Sequence, residues 1–315
     1  MHRNRPLVLA TLAAALMTAP VLADNRLEKD LKLEPGGQFT LQTDAGKVTL
    51  VASDEPGVHI VVTSKRKDLD EILTFRFNEG PGSATVTARN KHKFNIFSGW
   101  HDRVEWEVRV PAQTRVSIDT SGGAIDVTGL RDAAHLETSG GGIHVRDHSG
   151  NLDCDTSGGG ITLTDIKGTV RAETSGGGVH AKGIDGSIHA ESSGGSIELA
   201  GVTGDIDADT SGGGIRITDA GGKVRADTSG GGIEATFSRG NSNGGTLETS
   251  GGGIEVKLDS DADLSIEASG NAVRTDLPLR VRGEISRGSL SGTLGKGGNL
   301  LRLHTSGGSV RIQGL

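Results

Sequence analysis

Tyrosine is absent from this chain of 315 residues, and only two tryptophans and six phenylalanines accompany 51 glycines. A core built on large aromatic rings is therefore excluded for most of its length. The exception is local: all of these rings except Phe237 fall between Phe39 and Trp106. Cysteine occurs once, as Cys154, so no internal disulfide can form. Basic residues are in the minority, 33 Lys and Arg against 40 Asp and Glu. The resulting formal charge of −7 argues against a nucleic-acid partner, which calls for a basic face. Beyond the amino-terminal segment, no apolar run approaches the ~20 residues of a membrane-spanning helix.

That amino-terminal segment has the pattern of a secretory signal peptide. Arg3 and Arg5 precede an apolar stretch over residues 7–17, and Val21, Leu22 and Ala23 suit a cleavage site. The expectation is a signal peptide at residues 1–23, cut after Ala23, and a mature chain without a transmembrane span. No cysteine comes just after the cut, so a lipid-anchored form is not expected. Export places the protein in the periplasm or outside the cell, at its surface.

Residues 24–115 read as a β-rich, aromatic cap, either irregular longer coils or a small sandwich, that merges into the solenoid at Val110-Pro111. Runs at 39–43, 47–51, 58–63, 73–77, 84–88 and 104–110 alternate apolar with polar residues and are rich in β-branched side chains. Only residues 67–72 hint at a helical turn. Phe75, Phe77 and Trp106, at strand spacing, are expected in a core that caps the remainder of the chain. Residues 91–103 differ: Phe94, Phe97 and Trp100 mix with Lys91, Lys93, His101 and Arg103 without alternation. This stretch is either a hairpin folded onto the cap or a loop whose Phe94, Phe97, Trp100 and His101 contact a partner or ligand.

From Thr120 onward one phrase recurs, T-S-G-G-G-I, at Thr138, Thr156, Thr174, Ser192, Thr210 and Thr228, each step being 18 residues. It then drifts through Thr249 and Ala268 to Thr305. A fixed short period marks a solenoid of stacked coils. Counting from the threonine as position 1, positions 6 and 8 are apolar (Ile161, Leu163), as are 15 and 17 (Val170, Ala172), and position 13 is glycine from Gly150 on. Each coil thus holds two short strands, each ending in a glycine turn. Position 1 continues the inward alternation, and Cys154, at position 17, points inward too. The interior of Ile, Val and Ala reads as too thin for aromatics.

The half-period of nine discriminates among solenoids. A left-handed hexapeptide helix needs an apolar residue every six, but six and twelve residues after Ile161 stand Lys167 and Glu173. A calcium β-roll needs an aspartate just after each glycine turn, where this chain has Gly-Ile. An all-β, right-handed parallel β-solenoid (β-helix) of 18-residue coils remains, over residues 116–315, with degenerate coils after Ala268. Ten or eleven coils at about 4.8 Å would span roughly 50 Å. A longer echo of 54 residues, Asp153-Cys-Asp155 to Asp207-Ala-Asp209, indicates duplication of three coils. The insertion before Thr249 falls in a turn at residues 238–245.

The succession W-E-V-R-V-P at Trp106, V-S-I-D-T-S-G-G-A-I at Val116 and then tandem T-S-G-G-G-I coils resembles the bacterial putative-adhesin domain family, related to the GIN head domains of autotransporter adhesins. The likeness runs from Phe39 to Leu315. It implies an exported, non-enzymatic β-solenoid, and it brings no catalytic residues with it.

Among surface positions, position 18 stands out. It reads Asp119, Glu137, Asp155, Glu173, Glu191, Asp209, Asp227, Glu248 and Glu267, with Asp153 and Asp207 at position 16 on the same face. Stacked coils would set such carboxylates about 5 Å apart. Asp153, Asp155, Glu173, Glu191, Asp207, Asp209 and Asp227 are therefore the candidate column for divalent cations such as Ca²⁺, or for basic partners. The alternative is a solvated face whose like charge deters sheet association. No two histidines stack at the same position on adjacent coils, which argues against a zinc site built from histidines. The expected function is a structural or interaction module of the bacterial envelope that meets a protein or glycan. An envelope-stress sensor using the aromatic segment is the alternative. A carbohydrate-active β-helix enzyme is the remote one, because a regular ladder does not gather acids and bases around a cleft.

Overall fold

The computed structural model describes residues 21–23, 25–65, 68–91, 104–281 and 286–315. Among them, two sheets of fifteen strands each run side by side, and the one helix is a single turn at Leu69–Ile72. Phe94, Phe97, Trp100 and His101 lie outside the described residues, as do residues 1–20 of the expected signal peptide.

The sequence period is the pairing register. Ile125 pairs in parallel with Ile143, Ile143 with Ile161 and Ile161 with Val179, forming the first sheet. Leu136 pairs with Cys154 and Cys154 with Ala172 in the second. Within a coil the chain runs up one strand of the second sheet, turns at T-S-G-G-G, and returns along a strand of the first. Positions 6 and 8 (Ile161, Leu163) and 15, 17 and 1 (Val170, Ala172, Thr174) are buried between the sheets. Cys154 is wholly enclosed, and burial pushes its thiol pKa up, so it stays a protonated filler.

A third inward position lies beyond the reach of a period-two reading. Position 10 adopts the left-handed conformation, as Asp147 (φ 49°), Asp165 (φ 55°), Gly183 (φ 69°), Gly201 (φ 65°) or Asp219 (φ 59°). One such residue in an extended strand reverses the alternation. Position 11 then turns inward and buries Ile166, Ile184, Val202 and Ala220. The wider interior also corrects the expectation that it is too thin for aromatics. Phe237 is 1% exposed and stands beside Ala220 across a register shift. The insertion just after it is tied down by Asn241, whose Nδ2 donates to Ala220 O (2.6 Å) and Gly222 O (2.9 Å).

Stack order departs from chain order at both ends. Strands Gln38–Thr43 and Lys47–Ser53 form a coil that pairs directly with Arg115–Thr120 and Ile125–Thr128. The parallel stack therefore runs through the expected boundary near residue 115. Beyond that coil lie Ser83–Asn90 and Val104–Pro111, although they come later in the chain. At the other end, Asn299–Thr305 pairs with Gly245–Thr249, and Leu264–Ser269 lies outside it. The coil of Asn299–Thr305 thus sits one step in from the end, although it follows the outer coil of Ala268 in the chain. Antiparallel strands complete each end: Val58–Ser64, Arg26–Leu31 and Leu73–Gly80 at one, Ser289–Leu294 at the other. Trp106 is fully buried, and its indole Nε1 donates to Ala45 O at 3.1 Å. Phe75 packs against it at 5.9 Å between ring centroids, with Phe75 and Phe77 only partly buried. No helix among the described residues is long and apolar enough to cross a membrane.

Candidate functional site

The outer face of the second sheet carries positions 16 and 18, because positions 15, 17 and 1 point inward. The parallel register sets Asp119, Glu137, Asp155, Glu173, Glu191, Asp209, Asp227 and Glu248 side by side on consecutive strands. At about 4.8 Å per coil, the column is roughly 34 Å long. The ladder continues into His304 beside Glu248 and ends on Gln42 beside Asp119. All seven candidate acidic residues lie on this face: Asp155, Glu173, Glu191, Asp209 and Asp227 in the column, Asp153 and Asp207 in the parallel row two residues earlier.

Neighbouring carboxylates at this spacing repel by roughly 1 kcal/mol per pair even in water. The effect is visible at Asp209. Burial, and then the charges of Asp227, Glu191 and Asp207, push its carboxyl above the ordinary range, partly offset by Arg225. The row at position 16 relieves the rest. It repeats His135, Asp153, Arg171, then His189, Asp207, Arg225 in direct register. His135 Nδ1 lies 3.1 Å from Asp153, His189 Nδ1 3.3 Å from Asp207, and Arg225 donates to Asp207 at 3.0 Å. The Arg171 guanidinium lies against Glu173. His135 and His189 belong to the same surface but were not among the candidate residues. The signal that could have found them is the 54-residue echo His-x-Glu at 135 and 189.

The first sheet offers a contrast. Its outer face mixes both signs, with Arg216 lying 3.0 Å from Glu234 and His180 lying 3.3 Å from Glu198. A shallow open groove of about 490 Å³ runs over Glu198, Arg216, Glu234, Glu255 and Arg311. One face is thus charge-balanced and the other carries a continuous carboxylate column.

The model of the Toastrack DUF4097 family matches residues 38–313. The chain belongs to that family. The Toastrack match begins at the coil Gln38–Ser53 and so includes the parallel coils of the stack but not the end strand Arg26–Leu31. Among solved structures, a putative lipid binding protein from Parabacteroides distasonis ATCC 8503 is similar at 14% identity and a TM-score of 0.41, over 92% of this chain and 98% of that one. A putative adhesin from Bacteroides fragilis NCTC 9343 is similar at 11% identity and a TM-score of 0.37, over 93% and 98%. A putative cell adhesion protein from Clostridium sporogenes ATCC 15579 gives 9% identity and a TM-score of 0.27, over 94% and 100%. At these levels they carry no functional argument. No curated protein matches the chain significantly.

Proposed function

We propose that this Toastrack protein is an exported, non-enzymatic interaction module of the bacterial cell envelope. Its right-handed solenoid, capped at both ends, displays one long acidic face to a protein or glycan carrying basic groups or bridging cations. The observation that supports the reading best is the register of Asp119 through Glu248. Eight carboxylates repeat at one spacing on a rigid sheet. A periodic row of like charge suits a polymeric or multivalent partner, because each contact adds to the next without further ordering cost. The pattern of residues 1–23 supports export with cleavage after Ala23 and residence in the periplasm or at the surface.

The test is binding of the purified mature chain to envelope preparations from its own cells, alongside a variant with Glu137, Asp155, Glu173, Glu191, Asp209 and Asp227 changed to the corresponding amides. Saturable binding that weakens at least tenfold in the variant and with added salt is expected. Undiminished binding by a variant of unchanged melting temperature overturns the assignment to this face. Fractionation completes the test: an intact chain retained in the cytoplasm, with residues 1–23 still attached, overturns the export.

A further inference from the structure

At one point the acidic face becomes more than a row of like charges. His189 sits at position 16 with a carboxylate on each side of its Nε2: Glu173 from the preceding coil at 3.7 Å and Glu191 from its own strand at 3.8 Å. Ligand atoms of these three residues all lie within 4.8 Å of one another. Two donors about 2.1 Å from a tetrahedral metal ion stand about 3.4 Å apart, so both separations from His189 Nε2 are within a few tenths of an ångström of coordinating geometry.

A further observation points to a ligand. The other ring nitrogen, Nδ1, lies 3.3 Å from Asp207, and Asp207 is itself held by Arg225 at 3.0 Å. A carboxylate on the far nitrogen fixes the tautomer and turns the Nε2 lone pair outward, the arrangement found behind metal-bound histidines. Oε1 of Glu173 is shielded from solvent and is paired with the Arg171 guanidinium, so an ion bound there must displace that cation. The three-coil echo supplies a control within the molecule. His135 is backed by Asp153 at 3.1 Å and reaches Glu137 at 3.9 Å. The preceding coil offers Asp119, one methylene shorter than Glu173, and with it only two of the three ligands come together.

We propose that Nε2 of His189 and the carboxylates of Glu173 and Glu191 bind one divalent first-row transition-metal ion, Zn²⁺ being the best fit. A nitrogen donor and only three protein ligands suit Zn²⁺, whereas Ca²⁺ takes six to eight oxygens. A second histidine is not required, because two carboxylates complete the set. The remaining coordination positions face outward, open to water or to a donor from a partner. The buried Cys154 thiol does not compete. Arg171 does compete, since the metal takes its place at Glu173.

The test is titration of the tag-free full chain with Zn²⁺ by calorimetry in excess Mg²⁺ and Ca²⁺, and with Co²⁺ by visible absorption. One site per chain with a Co²⁺ ligand-field spectrum is expected. His189→Ala should abolish both, Asp207→Asn should weaken binding about tenfold, Arg171→Ala should tighten it, and His135→Ala should leave it unchanged. These side chains are surface groups, so melting temperatures should stay near that of the parent chain. The proposal is overturned if the parent chain binds no ion, if His189→Ala binds as the parent does, or if His135→Ala loses as much as His189→Ala. That last result would mean diffuse accumulation of cations on an acidic face. Each outcome is independent of envelope binding, so this site and the interaction module stand or fall separately.

Discussion

The two corners of each coil solve the same problem, reversing the chain, in opposite ways. At the T-S-G-G-G corner none of the glycines from Gly140 to Gly253 adopts a positive φ. Their lack of a side chain serves stacking instead. A Cβ on Gly159 would lie 2.2 Å from Gly141 O, and one on Gly177 would lie 2.3 Å from Gly159 O. The corner is closed by a buried hydroxyl. Thr174 Oγ1 donates to Gly159 O of the preceding coil (2.7 Å) and accepts from Gly177 N of its own turn (3.2 Å), and the same pair recurs from Thr138 to Thr305. At the far corner the backbone is in the left-handed region at position 10, and also at position 13 in Gly150, Gly168 and Gly186. Residue identity varies there, and the insertion at 238–245 enters there. One corner is fixed by contact between coils, the other by local conformation.

The comparison breaks most visibly by adding a single methyl group. Gly159→Ala should cost about 3 kcal/mol or more, because its Cβ meets backbone that cannot yield without separating coils. Gly240→Ala, in the far-corner insertion, has φ +74° and nothing within 4 Å of the new Cβ, so only the conformational cost of about 1 kcal/mol remains. Urea denaturation of the two variants compares them directly. Equal losses would mean that φ, rather than coil contact, selects glycine at both corners.

Next in size is the hydroxyl ladder. Thr174→Val keeps the shape and removes the oxygen, leaving Gly159 O and Gly177 N without their side-chain partner in an enclosed corner. A loss of about 1–3 kcal/mol is expected. Thr174→Ser, which restores the group as Ser192 does naturally (2.8 Å to Gly177 O), should recover most of it. A valine variant as stable as the parent would show that the ladder contributes nothing net.

The same contrast governs how much was legible before any coordinates. The repeat from Thr120 onward was legible because a parallel stack converts a sequence period directly into register, and the inward places of Ile161, Val170 and Cys154 came from alternation. Position 11 escaped the reading by strict alternation because the reversal at Asp165 is one residue's backbone conformation; its trace is the 18-residue recurrence of Asp or Gly at position 10 before an apolar residue such as Ile166 or Ile184. The coil at Gln38–Ser53 was left as one of two alternatives, coils or a small sandwich, for another reason. Its corner, Thr43-Asp-Ala-Gly46, keeps the threonine and the contact glycine but stands alone in the sequence, 77 residues before the next. Asn299–Thr305 could not be placed from chain order, because it pairs between two strands, Gly245–Thr249 and Leu264–Ser269, that both precede it in the chain. The acidic column was legible from period alone. The gathering of Glu173 and Glu191 about His189 was not, since it depends on side-chain reach across two coils.

The smallest effect concerns His148, which occupies position 11 of its coil at 2% exposure, with neither ring nitrogen in a well-formed hydrogen bond. Eighteen residues before and after it stand Leu130 and Ile166, both fully buried. Burial lowers the imidazole pKa, opposed by the backbone of Asn151 and Gly150 and by the charge of Asp132. Between the lowered folded value and the ordinary 6.5, the unfolded chain binds the proton and the folded chain does not. Stability is therefore full above pH 6.5 and falls as the pH drops through that window. His148→Ile, matching the next coil, should stabilise the protein by about 1 kcal/mol at neutral pH by removing an unpaired polar group. It should also flatten the part of the melting-temperature profile just below pH 6.5 that His148 causes. An unchanged slope in that variant would shift the acid sensitivity to the carboxylates of the opposite face.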